Sequence, residues 1–311
     1  MNQNHYSMSR RTFVASLAAA LSAVWLAPGT VRAAQKALIR KTIPGTGEAL
    51  PVIGLGSSRT FDIGRDQAAL QSLVEVMQAF FANGGQLIDS SPMYGSAEQV
   101  IGELLQRSGP QNKLFAATKV WTDGEQDGIR QMEDSLKKWR LDRFDLMQIH
   151  NLRDWQVHLQ TLRDWKAAGK IRYIGITTSH GRYHDELETI LRNEPFDFVQ
   201  LSYNIEDRSV EQRLLPLAAE RGIAVLVNRP FQRGALFGKV KGQTLPDWAA
   251  EIDCNSWGQL FLKFAVSHPA VTCAIPATTK LHHMQDNMAA GFGQLPDATL
   301  RKRMVDFYAA L

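Results

Sequence analysis

The sequence predicts a (β/α)8 TIM barrel, opened by an N-terminal β-hairpin and closed by a C-terminal helix. Three observations lead there. Eight short apolar runs begin at Val52, Leu87, Leu114, Phe144, Ile171, Phe196, Ile223 and Val271. Their starts lie 35, 27, 30, 27, 25, 27 and 48 residues apart, and each interval has room for one helix and two loops. The intervals carry amphipathic stretches ended by glycine, such as LVEVMQAFFANGG and LLPLAAERG. Eight strands, each followed by a helix, close most simply as a barrel. A doubly wound open sheet would want Gly-x-Gly-x-x-Gly ahead of its first helix, and VIGLGSSRTF does not supply it.

The elements follow in order. ALIRKTIPGTGEALPV, with Pro44-Gly45 and Gly47 between two short arms, predicts the hairpin. The eight runs come next, and the long seventh interval is expected to hold an inserted loop near residues 232 to 254. No low-complexity segment or Pro, Gly or Ser linker divides residues 34–311, which therefore read as a single domain of a size usual for a barrel.

Residues 1–33 read differently. Arg10 and Arg11 precede an Ala- and Leu-rich run that ends at Pro28-Gly29, and Val31-Arg32-Ala33 offers a small-residue cleavage site. That order is a secretory signal peptide, too short for a confident span. Ser-Arg-Arg-x-Phe-Val resembles the twin-arginine type, an address read by export machinery. The expected product starts near Ala34, resides in the periplasm or another extracytoplasmic space, and has no membrane segment. Without the leader, 32 basic residues stand against 31 acidic ones. So small a net charge gives no electrostatic case for nucleic acid or an anionic membrane. Cys254 and Cys273 have no metal-type spacing, and a disulfide and two buried thiols both remain open.

A barrel carries its chemistry at the C-terminal ends of its strands. Here those ends hold Ser57 and Ser58, Asp89, Lys119, His150, Thr178, Gln200 with Asn204 just beyond, Asn228 with Arg229, and Thr278. An Asp, a Lys and a His on three successive strands are costly at a barrel mouth unless paired or used. A hydrolase would want paired carboxylates, and only Asp89 is clearly such a residue.

GGQLIDSSPMYGSAEQVIG, LFAATKVW, FDLMQIHN, GKIRYIGITT, VQLSYN, RGIAVLVNRPFQRGAL and AIPATTKLHHMQDNM, in this order, resemble the aldo-keto reductases. The resemblance spans nearly all of the chain after the leader. It implies reduction of an aldehyde or ketone, reversibly oxidation of an alcohol, by hydride transfer from a nicotinamide cofactor. Tyr94, in the Asp-x-x-x-x-Tyr spacing with Asp89, is implied as the proton donor. A phenol is a poor acid at neutral pH, and Lys119 beside it is expected to lower its pKa. Asp89 would orient Lys119, and His150 would hydrogen-bond the substrate oxygen. The alternative is a barrel of the same family that binds cofactor without catalysis, as a regulatory subunit.

The resemblance also implies a cofactor site that departs from the family pattern. Ser57 and Ser58 border it, and Gln200 matches the carboxamide-binding position. Thr177-Thr178 stands where Ser-Asn is usual. Asn228 replaces a stacking aromatic ring, and Arg229 offers a planar guanidinium in its stead. Thr278, Thr279 and Lys280 would meet the phosphates at a helix start. Ala277 and His283 fall where Lys and Arg are frequent, which leaves Lys280 as the charge for the extra 2'-phosphate; NADPH is favoured on that charge, with NADH open. Asp286 and Asn287 match the adenine-side pair. Phe61 and Trp121 are expected to wall the substrate pocket, while Phe237 and Trp248 read equally as wall or packing. The adjacent His282 and His283 face different ways on a helix and imply no metal. A monomer with a small carbonyl or alcohol substrate is expected.

Overall fold

The computed structural model describes Met1, residues 37–109 and residues 113–311. The leader read over residues 1–33 lies, Met1 apart, outside the described residues. β1 (Arg40–Thr42) pairs antiparallel with β2 (Ala49–Pro51) as the expected hairpin. β3 (Leu55–Gly56), β4 (Leu87–Asp89), β5 (Phe115–Val120), β6 (Phe144–Ile149), β7 (Ile171–Thr177), β8 (Phe198–Ser202), β9 (Ala224–Asn228) and β10 (Val271–Ala274) then form one parallel sheet in chain order. The sheet closes on itself where Ile53 bridges Ala274, with the Gly54 N–H donating to the Ala274 carbonyl at 2.8 Å.

Helices alternate with the strands. α1 (Gln67–Ala82), α2 (Ala97–Arg107), α3 (Glu125–Trp139), α4 (Trp155–Ala167), α5 (His184–Asn193) and α6 (Leu214–Glu220) each fill one interval. α1 forms where the apolar spacing turns Leu70, Leu73, Val74, Met77 and Phe80 to one buried face. The Asp66 carboxylate caps it by accepting from the Ala68 and Ala69 N–H groups, a contribution of about 1 kcal/mol. The inserted segment contains α7 (Ala235–Lys239) and a 3-10 turn over Asp247–Ile252, ahead of α8 (Trp257–Ser267). α9 (Leu281–Ala289) and α10 (Ala298–Ala310) complete the chain. Among the described residues, no helix is long and apolar enough to cross a membrane.

A strand turns alternate residues to one face, and this rule builds the barrel interior in layers. At its base Leu87, Phe115, Tyr173 and Phe198 meet Ile43 and Leu50, which flank the hairpin turn. Phe115 stacks on Tyr173 at 5.9 Å, and the Tyr173 hydroxyl donates to Glu48 at 2.7 Å. The hairpin is therefore tied under the barrel by packing and by a hydrogen bond. Two and four residues further along, the same faces carry Lys119, Gln148 and Gln200, so an apolar floor gives way to a polar upper layer.

α2, which follows the segment bearing Tyr94, lies against α3 through Gly102. A Cβ there would stand 1.9 Å from the Lys138 carbonyl oxygen, which is backbone and cannot swing aside. Gly102→Ala is expected to cost about 1–3 kcal/mol through overpacking. Urea denaturation checks this, and an unchanged midpoint would show that the two helices separate freely.

Three expectations are refined by packing. Trp248 is buried edge-on against Phe307 of α10 at 5.8 Å, with Arg303 over its ring, and is thus a packing residue. Phe237 is partly exposed but rests on Phe231 and Phe261. Cys254 and Cys273 are both free and buried, and burial pushes the Cys254 thiol up to about 12.

Candidate active site

Four side chains from the upper layer and the loop above it converge. Lys119 and Asp89 stand side by side on the neighbouring strands β5 and β4, almost without solvent exposure. The Lys119 Nζ donates to Asp89 Oδ2 at 2.5 Å and to the Ser90 carbonyl at 2.7 Å. A buried ion pair survives only if its remaining hydrogen-bonding capacity is met. Here Asp89 Oδ1 accepts from Gln148 Nε2 at 2.8 Å and from Gln200 Nε2 at 3.0 Å. Gly175 on β7 makes room for this, since a Cβ there would meet Gln148 Cγ at 2.8 Å.

Tyr94 sits above the pair, with Lys119 Nζ 5.4 Å from its ring centroid. Its ring meets His150 edge-on at 5.7 Å and 89°. The loop after β3 pins the Tyr94 segment in place. Asp62 Oδ1 accepts from the Ser96 N–H and hydroxyl, and Ser96 Oγ accepts from the Gly64 N–H at 2.9 Å.

The electrostatics of Tyr94 bear out the expected pull of Lys119 but set a larger effect, burial, against it. Burial pushes the phenol above its usual value, and Asp89 adds to that. Lys119 pulls the other way, with help from Ser58 and Arg233, yet the net direction is upward. Lys119 thus limits a rise caused by desolvation instead of producing an acidic phenol. Burial and the nearby ammonium hold His150 well below its usual value, so its imidazole is neutral. His150 Nδ1 lies 2.8 Å from Ser91 Oγ.

The side toward β7–β9 is polar and connected. Gln200 Nε2 also donates to Gln148 Oε1 at 3.1 Å, so its amide nitrogen points inward, and its carbonyl oxygen accepts from Asn228 Nδ2 at 3.4 Å. Asn228 accepts from Ser202 Oγ at 2.7 Å and donates to the Thr178 carbonyl at 3.0 Å. The aromatic plane of the family pattern is here a tethered amide. Thr177 Oγ1 accepts from the Asn151 N–H, whereas Thr178 Oγ1 is buried with no hydrogen-bond partner. Arg229 Nε is likewise buried and unpartnered, on a backbone with φ 50°. Arg229 is held below its usual range by burial and by the like charges of Arg233 and Arg182. Ser57 is buried, with its hydroxyl between the Asp89 carbonyl and Ser90 Oγ, and Ser58 is exposed at the mouth.

Beyond β10, Thr278 Oγ1 accepts from the Lys280 N–H, and Thr279, Lys280 and His283 are exposed. No side chain caps the start of α9, which leaves its first N–H groups open to an anion. Asp286 accepts from Ser256 Oγ and Gln259 Nε2, each at 2.7 Å, and Asn287 is buried beside it. The orphaned Thr178 hydroxyl, the orphaned Arg229 nitrogen and the uncapped helix start match an amide, a ring or phosphate, and a further phosphate. The residues present fit a nicotinamide dinucleotide.

Of the two expected pocket walls, Trp121 is half-buried at the mouth with Arg153 over its ring at 5.1 Å. Phe61 is not: it is 0% exposed and packs in the core between barrel and helices, so a substrate cannot reach it. Two residues at the site escaped sequence reasoning. Gln148 stands two before His150 on the same strand face, so alternation alone could have marked it. Ser91 follows Asp89 by two in a loop, where no periodicity applies.

Comparison with known proteins bears on the family and the fold. The aldo/keto reductase family model matches residues 52–302. The chain is 29% identical over 269 residues to the methylglyoxal reductase YeaE of Escherichia coli (strain K12), which covers 84% of this chain and 93% of that one. It is 27% identical over 229 residues to an NADH-specific methylglyoxal reductase of the same organism, covering 63% and 66%. An aldo/keto reductase from Klebsiella pneumoniae, crystallised with NADP and acetate, shares the fold with a TM-score of 0.71 at 24% identity, over 87% of this chain and 96% of that one. With the family's model running from the first barrel strand into the last helix and its four polar side chains assembled at one mouth, the chain belongs to the aldo/keto reductase family.

Proposed function

We propose that this protein reduces an aldehyde or ketone to an alcohol with a nicotinamide cofactor, Tyr94 being the general acid, and that it catalyses the reverse oxidation. The observation that carries this reading is the buried Lys119–Asp89 pair directly beneath Tyr94, with a neutral His150 at the ring edge. Reduced nicotinamide supplies a hydride to the carbonyl carbon when bound. Negative charge then develops on the carbonyl oxygen and must be met. His150 donates a hydrogen bond to that oxygen, and Tyr94 transfers its phenolic proton to it. Lys119 stabilises the phenolate left behind, and Asp89 holds the ammonium in place. The polar side chains along β7–β9 would hold the nicotinamide amide, and the start of α9 the phosphates.

NADPH is the favoured cofactor, because Lys280, Thr278 and Thr279 give the α9 start one charge and two hydroxyls for an extra phosphate; NADH is the second choice. Small 2-oxoaldehydes head the substrate list, since two relatives are named methylglyoxal reductases. Residues 1–33 act as a cleaved twin-arginine leader, the mature barrel works as a monomer in the periplasm or another extracytoplasmic space, and it crosses the membrane folded with its nucleotide already in place. One experiment tests these points together. The mature protein is purified from the export compartment, denatured to identify any released nucleotide, and assayed on a carbonyl panel with NADPH and NADH. Bound NADP(H) that dissociates over minutes and turnover of methylglyoxal are expected. No turnover of any carbonyl with either cofactor defeats the catalytic reading, and a nucleotide lost within seconds defeats export with cofactor.

A further inference from the structure

The geometry points to Ser91 as the residue that sets the tautomer of His150, so that the ring presents Nε2–H to the substrate oxygen. Ser91 is fully buried, and its Oγ lies 2.8 Å from His150 Nδ1. The direction of this hydrogen bond follows from counting. A serine hydroxyl has one proton to give and two lone pairs to receive. Ser91 Oγ already accepts from the Met93 N–H at 3.2 Å. Its own proton has one acceptor within hydrogen-bond distance among the described residues, the Nδ1 lone pair. Were Nδ1 protonated instead, Ser91 would receive two N–H groups and its buried proton would have no partner, which costs the full desolvation of a donor.

The neutral ring has a single N–H. Once Nδ1 accepts from Ser91, that proton stands on Nε2, which makes no hydrogen bond within the described residues and remains open toward the mouth beside Tyr94. The opposite tautomer would aim a lone pair at the carbonyl oxygen and repel the charge that grows there. Ser91 touches neither substrate nor cofactor on this account; it is a positioning residue acting through His150. It is also well placed for the purpose, two residues after Asp89 and three before Tyr94, so one short loop carries the proton donor and the group that orients its neighbour.

The kinetic consequence rests on the carbonyl-reduction reading, whereas the tautomer does not. In the full chain labelled with 15N-histidine, with His150 assigned by comparison with His150→Asn, nitrogen–proton correlation spectra should show protonated Nε2 and unprotonated Nδ1. Ser91→Ala should move both nitrogens toward the average of two tautomers. It should also lower kcat by about tenfold, the loss of one hydrogen bond to the developing charge, with the dinucleotide dissociation constant unchanged. Ser91→Thr, which keeps the hydroxyl, should restore both the spectrum and the rate. A wild-type spectrum with protonated Nδ1, or a Ser91→Ala protein with unaltered His150 signals, overturns the assignment. If the spectra behave as stated while no variant and no wild type reduces a carbonyl, it is the catalytic reading that fails and the tautomer assignment that stands.

Discussion

Tyr94→Phe is expected to lower kcat for carbonyl reduction by about 10²–10⁴-fold, the range that a positioned general acid contributes. Phenylalanine keeps the ring that meets His150 edge-on and lies above Lys119, so folding and dinucleotide affinity should stay unchanged. What disappears is the proton. The wild-type pH profile follows from the direction of the Tyr94 shift. The group must be protonated to donate, and burial raises its pKa above the ordinary 10.0. Reduction by the wild type should therefore hold through neutral pH and decline only at strongly alkaline pH. Oxidation needs the phenolate and should climb over that same alkaline range. Steady-state assays in both directions check the two limbs. A Tyr94→Phe enzyme that kept its rate within threefold would mean that the proton comes from elsewhere.

Lys119→Met is expected to cost both stability and turnover. Methionine nearly fills the volume, but Asp89 is left buried without its ammonium, and breaking such a pair costs about 3–5 kcal/mol. Gln148 and Gln200 still donate to Asp89 Oδ1, which places the loss toward the lower end of that range. In the Lys119→Met/Asp89→Asn double variant no charge is stranded, so most of the stability should return while carbonyl reduction does not. Urea denaturation beside kcat measurement separates the two effects. Wild-type stability in the single variant would show that the pair does not brace the barrel, and restored turnover in the double variant would show that the ammonium is not needed to stabilise the phenolate.

The barrel was legible because its signals are local and repeated. All eight strands lie within the apolar runs read from the sequence, and the hairpin sits where Pro44-Gly45 and Gly47 placed its turn. Asp89, Lys119 and His150 were legible for a related reason, since a strand in a barrel must bring its C-terminal end to the mouth. Phe61 misled because an aromatic residue in a first loop looks the same in sequence whether it lines a pocket or plugs the core. The Tyr94 pKa was legible only in part. A lysine nearby can be inferred from strand order, but the burial that outweighs it depends on what covers the ring.

The sequence by itself determined the order of strands and helices, the polar layer at one end of the barrel, and which ionisable groups stand at that end. These depend on period, spacing and residue type, all of which act over a few neighbouring positions. Only the tertiary structure decided how those groups are wired. Gln148 and Gln200 converge on Asp89 from different strands, Ser91 turns onto His150, and Thr178 and Arg229 keep buried polar atoms without partners. Such contacts join residues up to 111 positions apart. Their strength depends on desolvation and on distances of a few ångströms, which exist only once the barrel has closed.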